Sequence, residues 1–133
     1  RGYAAVVVTN QRGVALGRMR REDVDDIHRR MRAALRETAG LDLLDVLYCP
    51  HDRGQCDCRK PSPGMLLEAA RRHGIDLRRS WMIGDSEKDV EAGAAAGCRT
   101  VRVAPAGTPT GAGWRFDDMA ALRSGIAKLL EPA

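Results

Sequence analysis

The chain has 133 residues, 44% of them hydrophobic and 30% charged, with a net charge of +4. That is the size of one ordinary domain with enough apolar material for a core, which excludes a chain that stays unfolded throughout. No run is long and apolar enough for a membrane span and no secretory signal is recognised, so the expected compartment is the cytoplasm.

Ala4 to Thr9 is a short apolar run rich in β-branched residues and predicts a strand buried on both faces, as in a parallel sheet. The turn Asn10-Gln11-Arg12-Gly13 follows. A hydroxyl and an amide at Thr9 and Asn10, with free backbone N–H groups, suit an anion, although for the pair taken alone ordinary turn chemistry is the favoured explanation. From Arg21 to Thr38, Val24, Ile27, Met31, Ala34 and Leu35 recur at helical spacing, with Gly40 as the stop.

Arginine supplies 19 of the 22 basic residues, and Arg18, Arg20, Arg21, Arg29, Arg30, Arg32 and Arg36 crowd this helical segment. Glu22, Asp23, Asp25, Asp26 and Glu37 interleave with them, and aromatic residues for base stacking are few. The segment therefore reads as a solvated helix face, and neither nucleic acid nor a membrane is an expected partner.

Leu43 to Tyr48 predicts a second strand, which delivers the chain into Cys49-Pro-His51 and Cys56-Asp-Cys58. Three thiolates and one imidazole within ten residues fill a tetrahedral zinc shell and leave no open position, so Cys49, His51, Cys56 and Cys58 predict a structural zinc site. Cys98, beside Gly97, reads as a buried small hydrophobe. Arg59 and Lys60 follow the last ligand at once, a fork and a point charge that suit a phosphate.

Pro61-Ser62-Pro63-Gly64 opens a helix carrying Met65, Leu66, Ala69 and Ala70 and closed by Gly74. Trp81 to Ile83 predicts a third strand, ended by Gly84-Asp85, and Lys88 to Ala96 a helix ended by Gly97. Asp85, at the mouth of the strand, and Asp89, four residues on, suit Mg²⁺; helix capping and dipole pairing are the competing explanation. Thr100 to Val103 is a fourth strand, followed by a Gly, Pro and Thr-rich loop from Ala104 to Gly113. Trp114 to Phe116 predicts a short edge strand, and Met119 to Leu130 the last helix. Strands alternating with helices imply a parallel sheet with helices on both faces and ligands beyond the carboxyl ends of its strands.

Taken in order, Val6 to Gly17 (VVVTNQRGVALG), Tyr48 to Ala70 (YCPHDRGQCDCRKPSPGMLLEAA) and Met82 to Gly97 (MIGDSEKDVEAGAAAG) resemble the haloacid dehalogenase (HAD) superfamily of phosphatases, in its zinc-containing histidinol-phosphatase branch. The resemblance implies an α/β, HAD-like Rossmannoid fold and a single hydrolase domain over residues 1–133, lacking its first, central strand and carrying a zinc-stapled loop. It implies Mg²⁺-dependent hydrolysis of a small phosphorylated metabolite through an aspartyl-phosphate, with D-glycero-D-manno-heptose 1,7-bisphosphate the first expected substrate and histidinol phosphate the next. By the same resemblance Thr9 bonds the transferring phosphate, Asn10, Gln11 and Arg12 line the substrate site, and Arg59 holds the substrate's second polar group. Lys60 neutralises phosphoryl charge, Asp85 ligates Mg²⁺, and Asp89 orients the metal's water shell or Lys60.

Three features depart from the family pattern. The strand ending in Asp-x-Asp-Gly, which carries the nucleophile, is missing, and Asp23-Val24-Asp25 begins a helix and cannot replace it. The nucleophile is therefore expected upstream of residue 1, and the chain alone is expected to be inactive. The gap inside the zinc loop is short for the branch, and Arg12 and Ser86 stand where the heptose enzymes tend to have a small residue and a lysine. A complete chain is expected to be monomeric. A catalytically silent HAD-like binding domain is the reading from a different functional class.

Overall fold

A computed structural model describes residues 3–51, 56 and 58–130. The chain divides into two compact units, Tyr3–Arg59 and a second that starts at Lys60. All the described strands pair in parallel, in two sheets of two and three strands.

In the first unit, β1 (Val6–Asn10) pairs with β2 (Asp45–Cys49), from Val6 opposite Asp45 to Asn10 opposite Cys49. Between them lie α1 (Arg12–Ala15), a single helical turn that overlaps the turn predicted over residues 10–13, and α2 (Arg21–Ala39). The Arg20 N–H donates to Asp23 Oδ2 at 3.0 Å and fixes the start of α2. Gly40, at φ 63°, ends it in the left-handed region, where a Cβ is penalised. Val24 is 1% exposed, and the His28 ring meets Tyr48 edge-on with centroids 5.6 Å apart, so α2 packs over β2.

Two expectations are corrected here. Ile27 is 52% exposed and Ala34 is exposed as well, because the inward face of α2 runs through Val24, His28, Met31 and Leu35. Residues at Val24 plus four, seven and eleven share a face, whereas Ile27 and Ala34 lie to one side of it. The residues of β1 are half-buried throughout, not buried on both faces. A ladder of two strands has little neighbouring surface with which to cover both sides.

In the second unit the order is α3 (Gly64–His73), a 3-10 turn (Leu77–Arg79), β3 (Trp81–Gly84), α4 (Glu87–Ala96), β4 (Arg99–Val103), β5 (Trp114–Phe116) and α5 (Met119–Leu129). The sheet order is β3-β4-β5. Its core is formed by Met82, Val90, Ala92 and Val101, with Met65, Leu66 and Ala69 from α3, all buried. Helix α4 lies against β3 and β4, and Gly93 permits the close approach: a Cβ there would stand 2.5 Å from Met82 Cβ. No helix among the described residues is long and apolar enough to cross a membrane.

Candidate active site and metal centre

Strand β2 carries Cys49 into the interior, where it is 0% exposed. Its Sγ lies 3.2 Å from Cys56 Sγ, 2.9 Å from Cys58 Sγ and 3.5 Å from His51 Nδ1. Cys58 Sγ is 3.1 Å from Cys56 Sγ and 3.5 Å from His51 Nδ1. A tetrahedral zinc shell built on ordinary bond lengths has S···N edges of about 3.6 Å and S···S edges of about 3.8 Å. The S···N distances match, and an ion would need only to spread the sulfurs by less than about 1 Å. All four ligand atoms lie within 4.8 Å of one another, so the cluster can hold a metal ion.

Burial pushes the Cys49 and Cys58 thiols up. At Cys56 burial acts the same way but is outweighed by hydrogen bonds from Cys58 and Cys49, which bring this thiol down to about 6. The direction at Cys56 favours the thiolate, the form that ligates metal. Cys98 is half-buried, less enclosed than the sequence predicts because it sits in the turn between α4 and β4.

The turn after β1 is tied to this cluster. The Gln11 N–H donates to the Cys49 carbonyl at 2.7 Å. Gln11 Nε2 donates to Thr9 Oγ1, which in turn donates to the Asn10 carbonyl, both at 3.4 Å. Thr9, Asn10 and Gln11 therefore sit at the carboxyl end of the same ladder that presents Cys49. Arg12 opens α1 and is exposed. At the end of this unit, Arg59 Nη1 is buried without a hydrogen-bond partner among the described residues.

In the second unit, Lys60 Nζ lies 2.5 Å from Asp89 Oδ1, with side chains 14% and 9% exposed. The other Asp89 oxygen accepts the Ser86 N–H at 3.2 Å. Gly84 makes room for this carboxylate: a Cβ at Gly84 would stand 2.5 Å from Asp89 Cβ and closer still to its carboxyl group. Ser86, not Asp85, caps α4, its Oγ accepting from the Lys88 N–H at 3.2 Å. Asp85 is exposed and has no hydrogen-bond or ion-pair partner among the described residues.

Sequence reasoning passed over Glu87. Its Oε1 accepts from Thr110 Oγ1 at 2.6 Å and Arg102 Nη1 at 3.1 Å, and its Oε2 accepts from the Gly111 N–H at 2.8 Å. These donors, led by Thr110 and then the Gly111 N–H, hold its carboxyl below the usual range. No local signal marks this residue, since its partners come from β4 and the loop after it, 15 to 24 residues along the chain. Of the acidic side chains Asp85, Glu87 and Asp89, Asp85 is the one without a hydrogen-bond or ion-pair partner among the described residues.

Residues 57–112 match the sequence model of a HAD-hydrolase-like family. The chain is 39% identical to the D-glycero-beta-D-manno-heptose-1,7-bisphosphate 7-phosphatase of Pseudomonas aeruginosa, over 94% of this chain and 74% of the relative. It is 36% identical to the Escherichia coli K12 protein of the same name, over 99% and 76% of the two chains. Among solved structures, the D,D-heptose 1,7-bisphosphate phosphatase of B. bronchiseptica, complexed with magnesium and phosphate, superposes with a TM-score of 0.80. The two are 34% identical, and the match covers 95% of this chain and 75% of that one.

Proposed function

The chain belongs to the HAD-like hydrolases, and on that premise we propose that it serves as a magnesium-dependent phosphatase of a sugar bisphosphate. D-glycero-D-manno-heptose 1,7-bisphosphate is the proposed substrate. The observation that carries the reading is the buried Lys60–Asp89 pair, with Asp85 left unpaired at the end of β3. A lysine held by a carboxylate next to a free carboxylate suits phosphoryl transfer, which asks the protein for positioning and electrostatic stabilisation.

The roles divide along the chain. Asp85 would hold Mg²⁺, whose charge helps to neutralise the phosphate when bound. Lys60, oriented by Asp89, meets the charge developing on the phosphoryl oxygens. Thr9 donates a hydrogen bond to the transferring phosphate, and Asn10, Gln11 and Arg12 line the substrate. The buried, unpartnered Nη1 of Arg59 supports its role of holding a second polar group of the substrate. Cys49, His51, Cys56 and Cys58 would hold a structural zinc, which anchors Cys58 two residues before Lys60.

Residues 1–133 are read as one hydrolase domain in which no strand ends in Asp-x-Asp-Gly. Asp23 and Asp25 stand in the first turns of α2, with Val24 between them fully packed, so they are not the nucleophile. The attacking carboxylate is proposed to come from outside these residues, and the chain alone is proposed to be inactive. A monomer in a reducing cytoplasm is the proposed setting, which suits thiolate ligands. Phosphate release from the heptose bisphosphate and from histidinol phosphate, measured with Mg²⁺ and with EDTA, tests the reading. EDTA-sensitive turnover by this chain alone would show that a nucleophile lies within it.

A further inference from the structure

The loop from Ala104 to Gly113 leaves β4 at the same end of the sheet as Asp85, because Arg102 on β4 stands in register with Gly84 on β3. In parallel sheets that is the end where ligands gather. The loop, Ala-Pro-Ala-Gly-Thr-Pro-Thr-Gly-Ala-Gly, carries no large apolar side chain with which to pack itself down. Polar contacts hold it instead. Its start is fixed by the Ala104 N–H on the Phe116 carbonyl at 2.9 Å, and its end by the Gly113 N–H on Thr100 Oγ1 at 3.1 Å. Its middle is held by Glu87, through Thr110 and Gly111, and by Arg102, whose Nη1 bridges Glu87 to the Pro109 carbonyl at 3.0 Å.

We propose that Glu87 is a positioning residue, which with Arg102 pins residues 109–112 beside Asp85 and so builds one wall of the cation and phosphate site. The inference rests on the reading of Asp85 as the cation ligand. Glu87 is the first residue of α4 and lies two residues after Asp85, so the position of its carboxylate is coupled to that of the Asp85 turn. The negative charge at the helix start faces the loop and not the cation. The clamp has two consequences. It withdraws Glu87 from competition with Asp85 for the cation, and it brings the backbone of Gly111 and Ala112 up to the site.

The test uses this chain, assigned amide signals and Mn²⁺ as a paramagnetic stand-in for Mg²⁺. In the unsubstituted chain, Mn²⁺ should broaden the amides of Asp85 and Ser86 and also those of Gly111 and Ala112. In Glu87→Ala the broadening should persist at Asp85 and Ser86 and fade at Gly111 and Ala112, while exchange of the Gly111 amide rises about tenfold or more. Glu87→Gln, which keeps an acceptor, should restore part of the Gly111 protection, and Thr110→Val should lose part of it without touching α4. A general loss of stability would weaken all four signals together and overturn a specific clamp. Unchanged Gly111 exchange in Glu87→Ala would also overturn it. Absence of broadening at Asp85 in the unsubstituted chain would instead contradict the cation-ligand reading, leaving exchange at Gly111 to decide the clamp by itself.

Discussion

Lys60 Nζ and Asp89 Oδ1 lie 2.5 Å apart with both side chains nearly closed off from solvent. Removing one member of a buried pair strands the other charge, at a cost of about 3–5 kcal/mol. Lys60→Ala and Asp89→Ala should therefore each lower the urea midpoint strongly. Glu68→Ala is the control, since Glu68 pairs with Arg71 and Arg72 on the exposed surface of α3 and should leave the midpoint nearly unchanged. Equal midpoints for Asp89→Ala and Glu68→Ala would show that the buried pair does not matter to the fold.

Gly84 tests how tightly that pair is seated. A methyl group there runs into the Asp89 side chain, so Gly84→Ala should destabilise by about 1–3 kcal/mol, the usual cost of overpacking. Gly111→Ala is the matched control, because its Cβ would meet Glu87 Oε2 only at an ordinary 3.6 Å. Thermal melts of the two variants should separate, with Gly84→Ala the lower. Coincident melts would mean that Asp89 can move aside at no cost.

The cysteine cluster predicts about one zinc per folded chain by elemental mass spectrometry, since four protein ligands complete a tetrahedral shell. A strong chelator should lower the melting temperature and raise the number of reactive thiols, and Cys56→Ser should behave like the chelated protein. A zinc-free chain that melts where the loaded chain does would refute the structural site.

Much of this was legible in the sequence, and the reasons are local. Helix stops at Gly40, Gly74 and Gly97 and the β-branched run at Val6 to Val8 are decided by a few neighbouring residues. The cysteine spacing alone identified all four metal-ligand candidates. What escaped depended on distant partners. Ile27 was expected inside because spacing gives the apolar stripe of a helix but not which part of it is covered. Glu87 drew no notice because Thr110 and Gly111 reach it from 23 and 24 residues away. The cap of α4 was open in the sequence, with Asp85 a candidate, and Ser86 takes that role.

The most direct test of the account is phosphate release by the chain with a strand ending in Asp-x-Asp-Gly fused ahead of Tyr3. With Mg²⁺, the fused protein should release phosphate from D-glycero-D-manno-heptose 1,7-bisphosphate in preference to histidinol phosphate, and the chain alone should release none. Lys60→Ala in the fused protein should lose about 100-fold or more in kcat, as expected for removing a group that stabilises developing charge. A folded, metal-loaded fusion that releases no phosphate from either substrate, or a Lys60→Ala variant with near-normal kcat, would contradict it.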